Sequence, residues 1–590
     1  MDDNNLLEPL SLFNKELKKA FHENAENYFE ELVTASKIDV EANKQTVKEY
    51  KNTCNLLEAA KKKLNKSKAL KGFLIFLVVV LFITAGLFIY FSIENIILEL
   101  YQTILIAAVS LAIAILLIIY ISKTLKKRIK KEQESVKILE DKAAQILAEA
   151  YAQMAALNAL FDWNMHVELF KRTTPLIEVD KYFDVEKFNY MHHKYGLNDE
   201  TDPTISTESI LSGSIVGNPF LLVRQLKQTW GQHTYHGSLT ISWTETVRDS
   251  DGHLRTVTRT QTLHASVVKP IPLYNYHTFL VYGNDAAPEL SFSRKPSGAS
   301  GKTDKEIDRI VRKGEKKIED MAKDALMSGK RSFTKLGNAE FEVLFGALDR
   351  DNDVEFRLLF TPLAQKGLLD LIRNPVPYGD DFEFIKQGPI NYIISNHSQK
   401  HDYYGNPANY YSYDYEASKK AFVTYNDNFF QGLYFDLAPL LCVPLYQQYE
   451  PDEHIFQHTY ERNYTSYESE VLANSFDVNL FRHQDAITST ILKSNFAGKC
   501  GRADKLSISA YSYGGIARTD YISVYGGDGR YHQVPVHWTE YYPVQTETMM
   551  GVREYEGTKK DYDELNQNSG FQAFLGRYVK NQQFNQDLRR

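Results

Sequence analysis

Two uncharged apolar runs dominate the pattern of hydrophobic and polar positions along this chain of 590 residues. They cover residues 72–93 and 100–122. A helix needs about 20 apolar residues to cross roughly 30 Å of hydrocarbon, and each run is long enough. Only residues 94–99 separate the runs, which suffices for a tight turn. The pattern predicts a two-span transmembrane hairpin over residues 72–122. The alternative is a hairpin buried in a soluble protein, which would need a large surrounding core.

Lysine and arginine residues flank both runs on the same side. Six lysines lie between residues 61 and 71, and six cationic residues lie between residues 123 and 131. The only charged residues of the connecting turn are Glu94 and Glu99. Cations close to a span mark its cytoplasmic side. We therefore expect a multi-pass protein of the cell membrane, with both termini in the cytoplasm and the lipid bilayer as a partner.

Helical periodicity surrounds the predicted spans. The first helix has one apolar face, formed by Leu10, Phe13, Leu17, Phe21, Ala25, Phe29 and Leu32. A second helix begins near Val40 and carries two seven-residue series, Val47 with Cys54, and Tyr50 with Leu57 and Leu64. After the second span the series are Ile129, Val136, Ala143, Ala150 and Leu157, and Leu139, Ile146 and Leu160. Such heptads are typical of paired helices.

These heptads predict two helical regions. Amphipathic and heptad helices occupy residues 1–67, and a coiled-coil-like stalk helix occupies residues 123–165. Two alternatives remain open for the stalk. It forms a homo-oligomer, or it pairs two antiparallel helices within one chain and holds the rest of the protein away from the membrane.

The remaining residues predict a β-rich α+β body in the cytoplasm. An α+β domain over residues 166–395 contains a strong hairpin around Asp251-Gly252 and a charged helical insertion over residues 302–328. We further expect strands over residues 340–345 and 354–359, a helix capped by Thr361, and strands over residues 382–385 and 390–394. Residues 396–590 form a tyrosine-rich, β-rich C-terminal domain with a hairpin over residues 521–538. Its apolar segment 429–446 is expected in the core, because its polar and proline residues disfavour a third span.

Part of this body resembles a widespread family of bacterial proteins that is defined only as a domain of unknown function. The similarity lies in the runs ESILSGSIVGNPFLL, NAEFEVLF and RLLFTPLAQKGLLDL, within residues 182–395. Its positions are Gly213, Gly217, Phe220, Asn338, Phe341, Phe345, Leu358, Leu359, Thr361 and Pro362. The resemblance implies a membrane hairpin before one α+β domain, and it implies no activity and no catalytic residues. The charged helix and the C-terminal 200 or so residues depart from that pattern.

Two sequence motifs imitate binding loops. Residues 296–303 nearly match a phosphate-binding loop, but Pro296 replaces the first glycine, and Thr303 with Glu306 also reads as a helix capping box. The acidic run 349–355 imitates a calcium loop, but Val354 and Phe360 occupy the positions that need glycine and glutamate. We interpret the first motif as a linker and helix start, and the second as a turn.

Histidine pairs and tyrosines are the other candidates for chemistry. His454 with His458, and His397 with His401, have the i, i+4 spacing that converges on one helix face. Asp452 or Glu461 is a candidate further ligand of a metal held by the second pair. The tyrosines of the C-terminal domain either pack on the sheet or form a surface for a protein or glycan. They are Tyr403, Tyr404, Tyr410, Tyr411, Tyr413 and Tyr415.

The composition limits the function. The net charge of −7 provides no global positive field for nucleic acid. Three widely spaced cysteines disfavour a disulfide framework or a thiolate zinc site. We expect a membrane-anchored scaffold or protein-binding module, with no cofactor, no catalytic residue and an unidentified protein partner. The alternative is a membrane-tethered, metal-dependent hydrolase that uses His454 and His458. A channel is disfavoured because neither span carries a charge.

Overall fold

The structure is a computed structural model. It describes residues 7–94, 100–162, 164–180, 183–198, 201–248, 253–328, 333–401, 403, 405–456, 465–500, 503–553 and 572–574. The chain divides into two compact units. We call residues 26–161 and 407–424 the helical unit, and residues 1–25, 162–406 and 425–590 the body unit.

The described residues confirm the predicted α+β class, with long N-terminal helices followed by a β-rich body. The helices are α1 (Pro9–Leu12), α2 (Lys18–Ser36), α3 (Val40–Glu94), α4 (Leu100–Tyr120), α5 (Lys126–Asn158), α6 (Met165–Thr173), α7 (Val185–Tyr195), α8 (Asp304–Ser328), α9 (Ala339–Phe345), α10 (Asp353–Leu359), α11 (Pro362–Arg373), α12 (Tyr415–Leu441), α13 (Asp452–Phe456) and α14 (Ser466–Asn474). The strands are β1 (Ile177–Val179), β2 (Ile205–Ile215), β3 (Asn218–Arg248), β4 (Leu254–Gly283), β5 (Ser291–Arg294), β6 (Phe382–Gln387), β7 (Ile390–Ser395), β8 (Ile491–Cys500), β9 (Ala503–Tyr525), β10 (Tyr531–Arg553) and β11 (Gln572–Phe574).

The helical unit is built on α3, which contacts both α4 and α5. Ion pairs Lys61–Glu140 and Lys142–Glu49, at 2.7 and 2.8 Å, show that α3 and α5 run antiparallel. One row of α3, at seven-residue spacing, faces the other helices. It consists of Tyr50, Leu57, Leu64, Lys71, Val78 and Ala85, and we call it the facing row.

The predicted heptads of α5 meet this row. Ile129, Val136, Ala143, Ala150 and Leu157 are all buried, and Leu64 packs with Leu125, Ile129 and Val136 in one apolar cluster. The pairing therefore exists within one chain. Leu160 was predicted on the same face, and this prediction is wrong. The helix ends at Asn158, so Leu160 lies beyond it and is 37% exposed.

The body unit contains a seven-stranded antiparallel sheet in the described residues, with the order β1-β2-β3-β4-β7-β6-β5. The predicted hairpin is its centre and is confirmed as β3 and β4, of 31 and 30 residues. The predicted turn residues Asp251 and Gly252 lie outside the described residues. The distal half of this hairpin extends beyond the other strands of the sheet, since β2 pairs only as far as Lys227.

The second sheet of the body unit has the order β11-β10-β9-β8. It includes the predicted hairpin over residues 521–538, whose turn is closed by a bond from the Gly526 N–H to the Arg530 carbonyl oxygen. The apolar face of the β9–β10 ribbon packs on the β3–β4 ribbon through Ile241, Leu263 and Val534. Period-two alternation gives each ribbon one apolar face, and the two faces cover each other.

The strands predicted over residues 340–345 and 354–359 are wrong, because the structure has helices α9 and α10 there. The Asn338 side chain accepts a bond from the Phe341 N–H, and the Asn352 side chain accepts one from the Glu355 N–H. Both asparagines are helix N-caps. A run of six residues with mixed apolar positions is ambiguous between helix and strand, and the caps decide it. The predicted cap at Thr361 and the strands β6 and β7 are confirmed.

The apolar segment that resembled a third span lies in the body core, as predicted. In α12 of the body unit, Leu433, Leu437 and Leu440 are fully buried. Aromatic rings of the N-terminal helices cover this part of α12, since the Phe21 ring stacks on Phe430 with centroids 4.1 Å apart. The C-terminal region therefore contains a long buried helix besides its strands, which the β-rich prediction had missed.

Candidate functional site

The apolar parts of α3 and α4, which we call the apolar hairpin, face outward. In the described chain, these two helices are long and apolar enough to cross a membrane, and their most apolar windows are only 11% and 17% buried. Large side chains point away from the other helices, with Phe76 65% and Leu116 66% exposed. A core hairpin of a soluble protein would instead be mostly buried. A continuous exposed apolar surface of this kind marks a contact with lipid or with another protein.

The inner side of the apolar hairpin is lined by small residues. Ala85 of α3 and Ala107, Ser110 and Ala114 of α4 are all buried. Small side chains let helix backbones approach closely, which is how helices pack where the surroundings are as apolar as their own side chains. The hydroxyl of Ser110 is satisfied within its own helix, because it donates to the Ala107 carbonyl oxygen at 2.9 Å. The hairpin is thus packed on small residues and exposes its large ones.

Only one histidine of the predicted metal-binding pair, His454, lies in the described residues. His454 lies in the short helix α13, is exposed, and has its Nδ1 atom 3.2 Å from a carboxylate oxygen of Glu450. His458 and Glu461 lie outside the described residues. Among the residues that the structure describes, no group of three histidine, cysteine or acidic side chains is arranged to hold a metal. Metal binding at His454 and His458 therefore stays a prediction.

The predicted tyrosine surface is distributed between buried and exposed positions. Tyr403 of the body unit, and Tyr410 and Tyr415 of the helical unit, are buried. The Tyr415 hydroxyl donates to the Glu30 carboxylate at 3.0 Å. Tyr411 is 50% exposed and Tyr413 is half-buried, whereas Tyr404 lies outside the described residues. In this structure the three buried rings contribute to packing, and binding by the other tyrosines stays a prediction.

The other histidine pair belongs to a buried polar cluster that sequence reasoning missed. His397 and His401 are not on one helix, because a short 3-10 turn and extended backbone follow His397. The His397 Nδ1 atom lies 2.7 Å from the Asp381 carboxylate, and its Nε2 atom lies 3.4 Å from that of Asp436. The Tyr403 hydroxyl donates to Asp436 at 3.0 Å. No sequence signal connects these residues, since Asp381 and Asp436 lie on different elements.

Protonation of His397 is favoured by the two carboxylates beside it. Burial alone would lower the pKa of His397, but the charge of Asp436 and the hydrogen bond to Asp381 raise it above its ordinary value. His397, Asp381 and Asp436 are all buried. The cluster therefore joins α12 to the end of β7 in the core, and its buried position suits a structural role better than contact with a substrate.

The loop that resembled a phosphate-binding loop is occupied by a carboxylate of the protein itself. Asp380 accepts bonds from the Ala299 N–H at 3.1 Å and from the Ser297 hydroxyl at 2.7 Å, and it pairs with the buried Arg294. The Glu306 carboxylate accepts bonds from the Thr303 N–H at 2.9 Å and from the Thr303 hydroxyl at 2.7 Å, which confirms the glutamate half of the predicted capping box. The Ala299 N–H and the Ser297 hydroxyl of this loop are therefore already used within the fold.

The first part of the calcium-like acidic run, residues 349–352, is a turn as predicted, and residues 353–355 begin helix α10. Asp349 and Asp351 accept bonds from the backbone N–H groups of Ser293 and Ser291 on the edge strand β5. Asp353 pairs with Arg350 at 2.5 Å. These carboxylates cover a strand edge and balance a buried guanidinium, so their charges are used within the protein.

Comparison of the chain with protein-family models, curated proteins and solved structures found no match. Four positions of the bacterial resemblance have structural roles in this chain. Asn338 and Thr361 are N-caps, and Phe341 stacks on Phe345 with centroids 4.9 Å apart. That resemblance stays a prediction. The feature that best indicates a function is therefore the exposed apolar hairpin with the cations at its base.

Proposed function

We propose that this chain is a membrane-anchored scaffold or protein-binding module whose body unit faces the cytoplasm. The observation that supports anchoring is the exposure of large apolar side chains on both helices of the apolar hairpin. In water this surface would be costly, at roughly 25 cal/mol per Å² of apolar area. In lipid the same surface is favourable.

The proposed orientation rests on the distribution of charge. The twelve cationic residues between positions 61 and 71 and between positions 123 and 131 lie at one end of the antiparallel hairpin, whereas the turn between the spans carries Glu94 and Glu99. Positive residues stay on the cytoplasmic side during insertion. Both termini and the body unit would then lie in the cytoplasm.

A protein partner is supported by the long ribbon of the body unit. In the described chain, residues 229–248 of β3 and 254–277 of β4 have no ladder partner other than each other. Unpaired strand edges of this length accept an added strand from an extended peptide. The partner that this geometry favours is therefore an extended segment of another protein.

Oligomerisation through the stalk is a further part of the proposal. The facing row of α3 is used within the chain, but Leu56 and Ile138 are exposed by 61% and 67% on the outer surfaces of α3 and α5. These apolar side chains support contact with a second copy. Chemical cross-linking in intact membranes would trap a dimer in the wild type and much less of it in a Leu56→Gln, Ile138→Gln double variant.

Protease treatment tests the anchoring and the orientation together. We expect the protein to remain in the membrane pellet after alkaline carbonate extraction. Protease added outside sealed cells should spare the chain, and protease added to inverted vesicles should digest the body unit. Release by carbonate would contradict anchoring, and digestion of the body unit from outside would contradict the orientation alone.

A photo-cross-linking side chain tests the partner surface. Placed at the exposed Val268 of β4, it should yield an adduct with another protein in intact membranes. The matched control places the same side chain at the exposed Leu363 of α11, away from the ribbon. Equal adducts at both positions, or none at Val268, would contradict the use of the ribbon edge.

A further inference from the structure

A basic cavity lies at the base of the apolar hairpin, within the helical unit. It has a volume of about 780 Å³. That volume falls in the range of about 300–1,000 Å³ that is usual for ligand sites. Its lining includes the side chains of Lys68, Lys71, Lys126, Lys127, Lys130 and Ser122. Five lysines thus line one space between α3 and the α4–α5 helix.

Among the described residues, the lining of the cavity contains these five lysines and no aspartate or glutamate. No aspartate or glutamate occurs in residues 59–93 or 100–131. Other cations of the same region do have partners, since Lys61 pairs with Glu140 and Arg128 pairs with Glu132. Among the described residues, none of the five cavity lysines forms an ion pair with a carboxylate. The lining of the cavity therefore carries a net positive charge.

One of the five lysines, Lys71, is partly shielded from solvent. It occupies the facing row of α3, seven residues after Leu64 and seven before Val78, and it is half-buried. An ammonium group in a row of apolar contacts loses hydration, and this is costly without an anion. A bound anion in the cavity would compensate that loss.

The cavity also has an apolar side at the level where the apolar hairpin begins. Gly72 and Ile75 of α3 and Ile129 of α5 complete its wall. The adjoining turn Ile121–Leu125 is π-helical. Such turns are frequent at functional sites because they change the register of a helix locally. A ligand that matches this wall has a phosphate group at one end and a hydrocarbon chain at the other.

We propose that the cavity binds the headgroup of a phospholipid with more than one negative charge, such as one ending in a phosphomonoester. The inference rests on the proposed membrane anchoring and adds a specific lipid to it. Basic cavities between helices at the membrane surface bind anionic headgroups. The several lysines favour a multiply charged headgroup over a singly charged one, and the apolar wall favours a lipid over free phosphate.

Binding can be measured on the full chain in detergent by native mass spectrometry. The probes are short-chain phosphatidic acid, phosphatidylglycerol, phosphatidylcholine and inorganic phosphate. We expect one phosphatidic acid per chain, weaker binding of phosphatidylglycerol and none of phosphatidylcholine. Inorganic phosphate should not displace the bound lipid. Displacement by inorganic phosphate, or equal binding of all three lipids, would overturn the proposal.

Two double variants distinguish lipid binding in the cavity from general electrostatic attraction between the lipid and the cationic residues. Lys71→Gln with Lys127→Gln should weaken phosphatidic acid binding about tenfold or more, since each substitution removes a charge-assisted hydrogen bond to the bound headgroup. Lys66→Gln with Lys131→Gln removes the same charge outside the cavity and should change binding by less than about twofold. Lys71→Arg should retain binding. Equal losses in the two double variants would overturn the cavity as the site.

Carbonate extraction of the same variants tests membrane anchoring separately from lipid binding in the cavity. All of them should remain in the membrane pellet, because the apolar hairpin is unchanged. A wild-type protein that stays in the pellet but binds no phosphatidic acid contradicts the lipid site alone. A wild-type protein that leaves the pellet contradicts the anchoring on which the site rests.

Discussion

The backbone of Gly237 on β3 lies directly against the carbonyl oxygen of Pro535 on β10. A β-carbon at position 237 would overlap this oxygen and would also touch the Val536 side chain. The contact is possible because Pro535 lies where β10 has β9 as its ladder partner and no strand on its other side in the described residues. It brings the two ribbons of the body unit together over Ile241, Leu263 and Val534.

Gly237→Ala should therefore loosen the two ribbons. The atom that a β-carbon would meet is backbone, so the strands must move apart, and overpacking of this kind costs about 1–3 kcal/mol. Thermal unfolding of the purified protein would show a lower midpoint. Gly551→Ala is the matched control, because a β-carbon there meets nothing within 4 Å. Equal midpoints for both variants would contradict the close approach.

Loss of His397 should destabilise the body unit strongly. His397→Ala leaves the buried carboxylates of Asp381 and Asp436 without their shared cation, and removal of one partner of a buried pair costs about 3–5 kcal/mol. Urea unfolding would measure the change. The exposed His236 is the control, and His236→Ala should change stability by less than about 0.5 kcal/mol. Similar values for the two variants would show that the cluster contributes little.

Glu470 should make the stability of the body unit depend on pH. Burial raises the pKa of Glu470 to about 7, although Lys493 lies 2.7 Å away and favours the charged form. A raised folded-state pKa means that the folded state binds the proton more tightly than the unfolded chain does, whose ordinary value is 4.5. Its contribution is fully present below about pH 4.5 and is lost as pH rises through about 7.

The Glu470→Gln variant isolates this effect. The difference in unfolding free energy between the wild type and the variant should change between pH 5 and pH 8 by a few kcal/mol, with the wild type losing stability as pH rises, by roughly 1.4 kcal/mol for each pKa unit. Other titrating groups are common to both proteins and cancel in the difference. A constant difference across this range would show that Glu470 is ionised throughout.

Metal analysis tests the hydrolase alternative. We expect substoichiometric zinc and manganese in the purified protein and no change on His454→Ala, because among the described residues His454 pairs with the carboxylate of Glu450 and belongs to no group of three ligands. The content is measured by elemental mass spectrometry after exhaustive dialysis. Stoichiometric metal that disappears in a His458→Ala variant would instead favour the hydrolase.

Local patterns in the sequence determined the elements whose signals lie close together along the chain. The two apolar runs predicted α3 and α4, and the heptads predicted the faces of α3 and α5 that meet. Thr361 before Pro362 predicted the start of α11, and the turn residues Asp251 and Gly252 predicted the β3–β4 hairpin. In each case the signal consists of residues that are close together in sequence or of apolar positions that repeat with one period. The order of residues therefore specifies these elements.

Tertiary contacts decided what depends on distant residues. The segments that became α9 and α10 were too short for periodicity to separate helix from strand, and side-chain caps at Asn338 and Asn352 resolved them. The cluster of His397 with Asp381 and Asp436, and the basic cavity, exist only because separate elements come together in space. Hydrophobic periodicity describes which face of an element is buried, but it carries no information on which partner covers that face. The sequence alone therefore determined the apolar hairpin and the cations at its base, and the folded structure decided that five of these cations line one cavity.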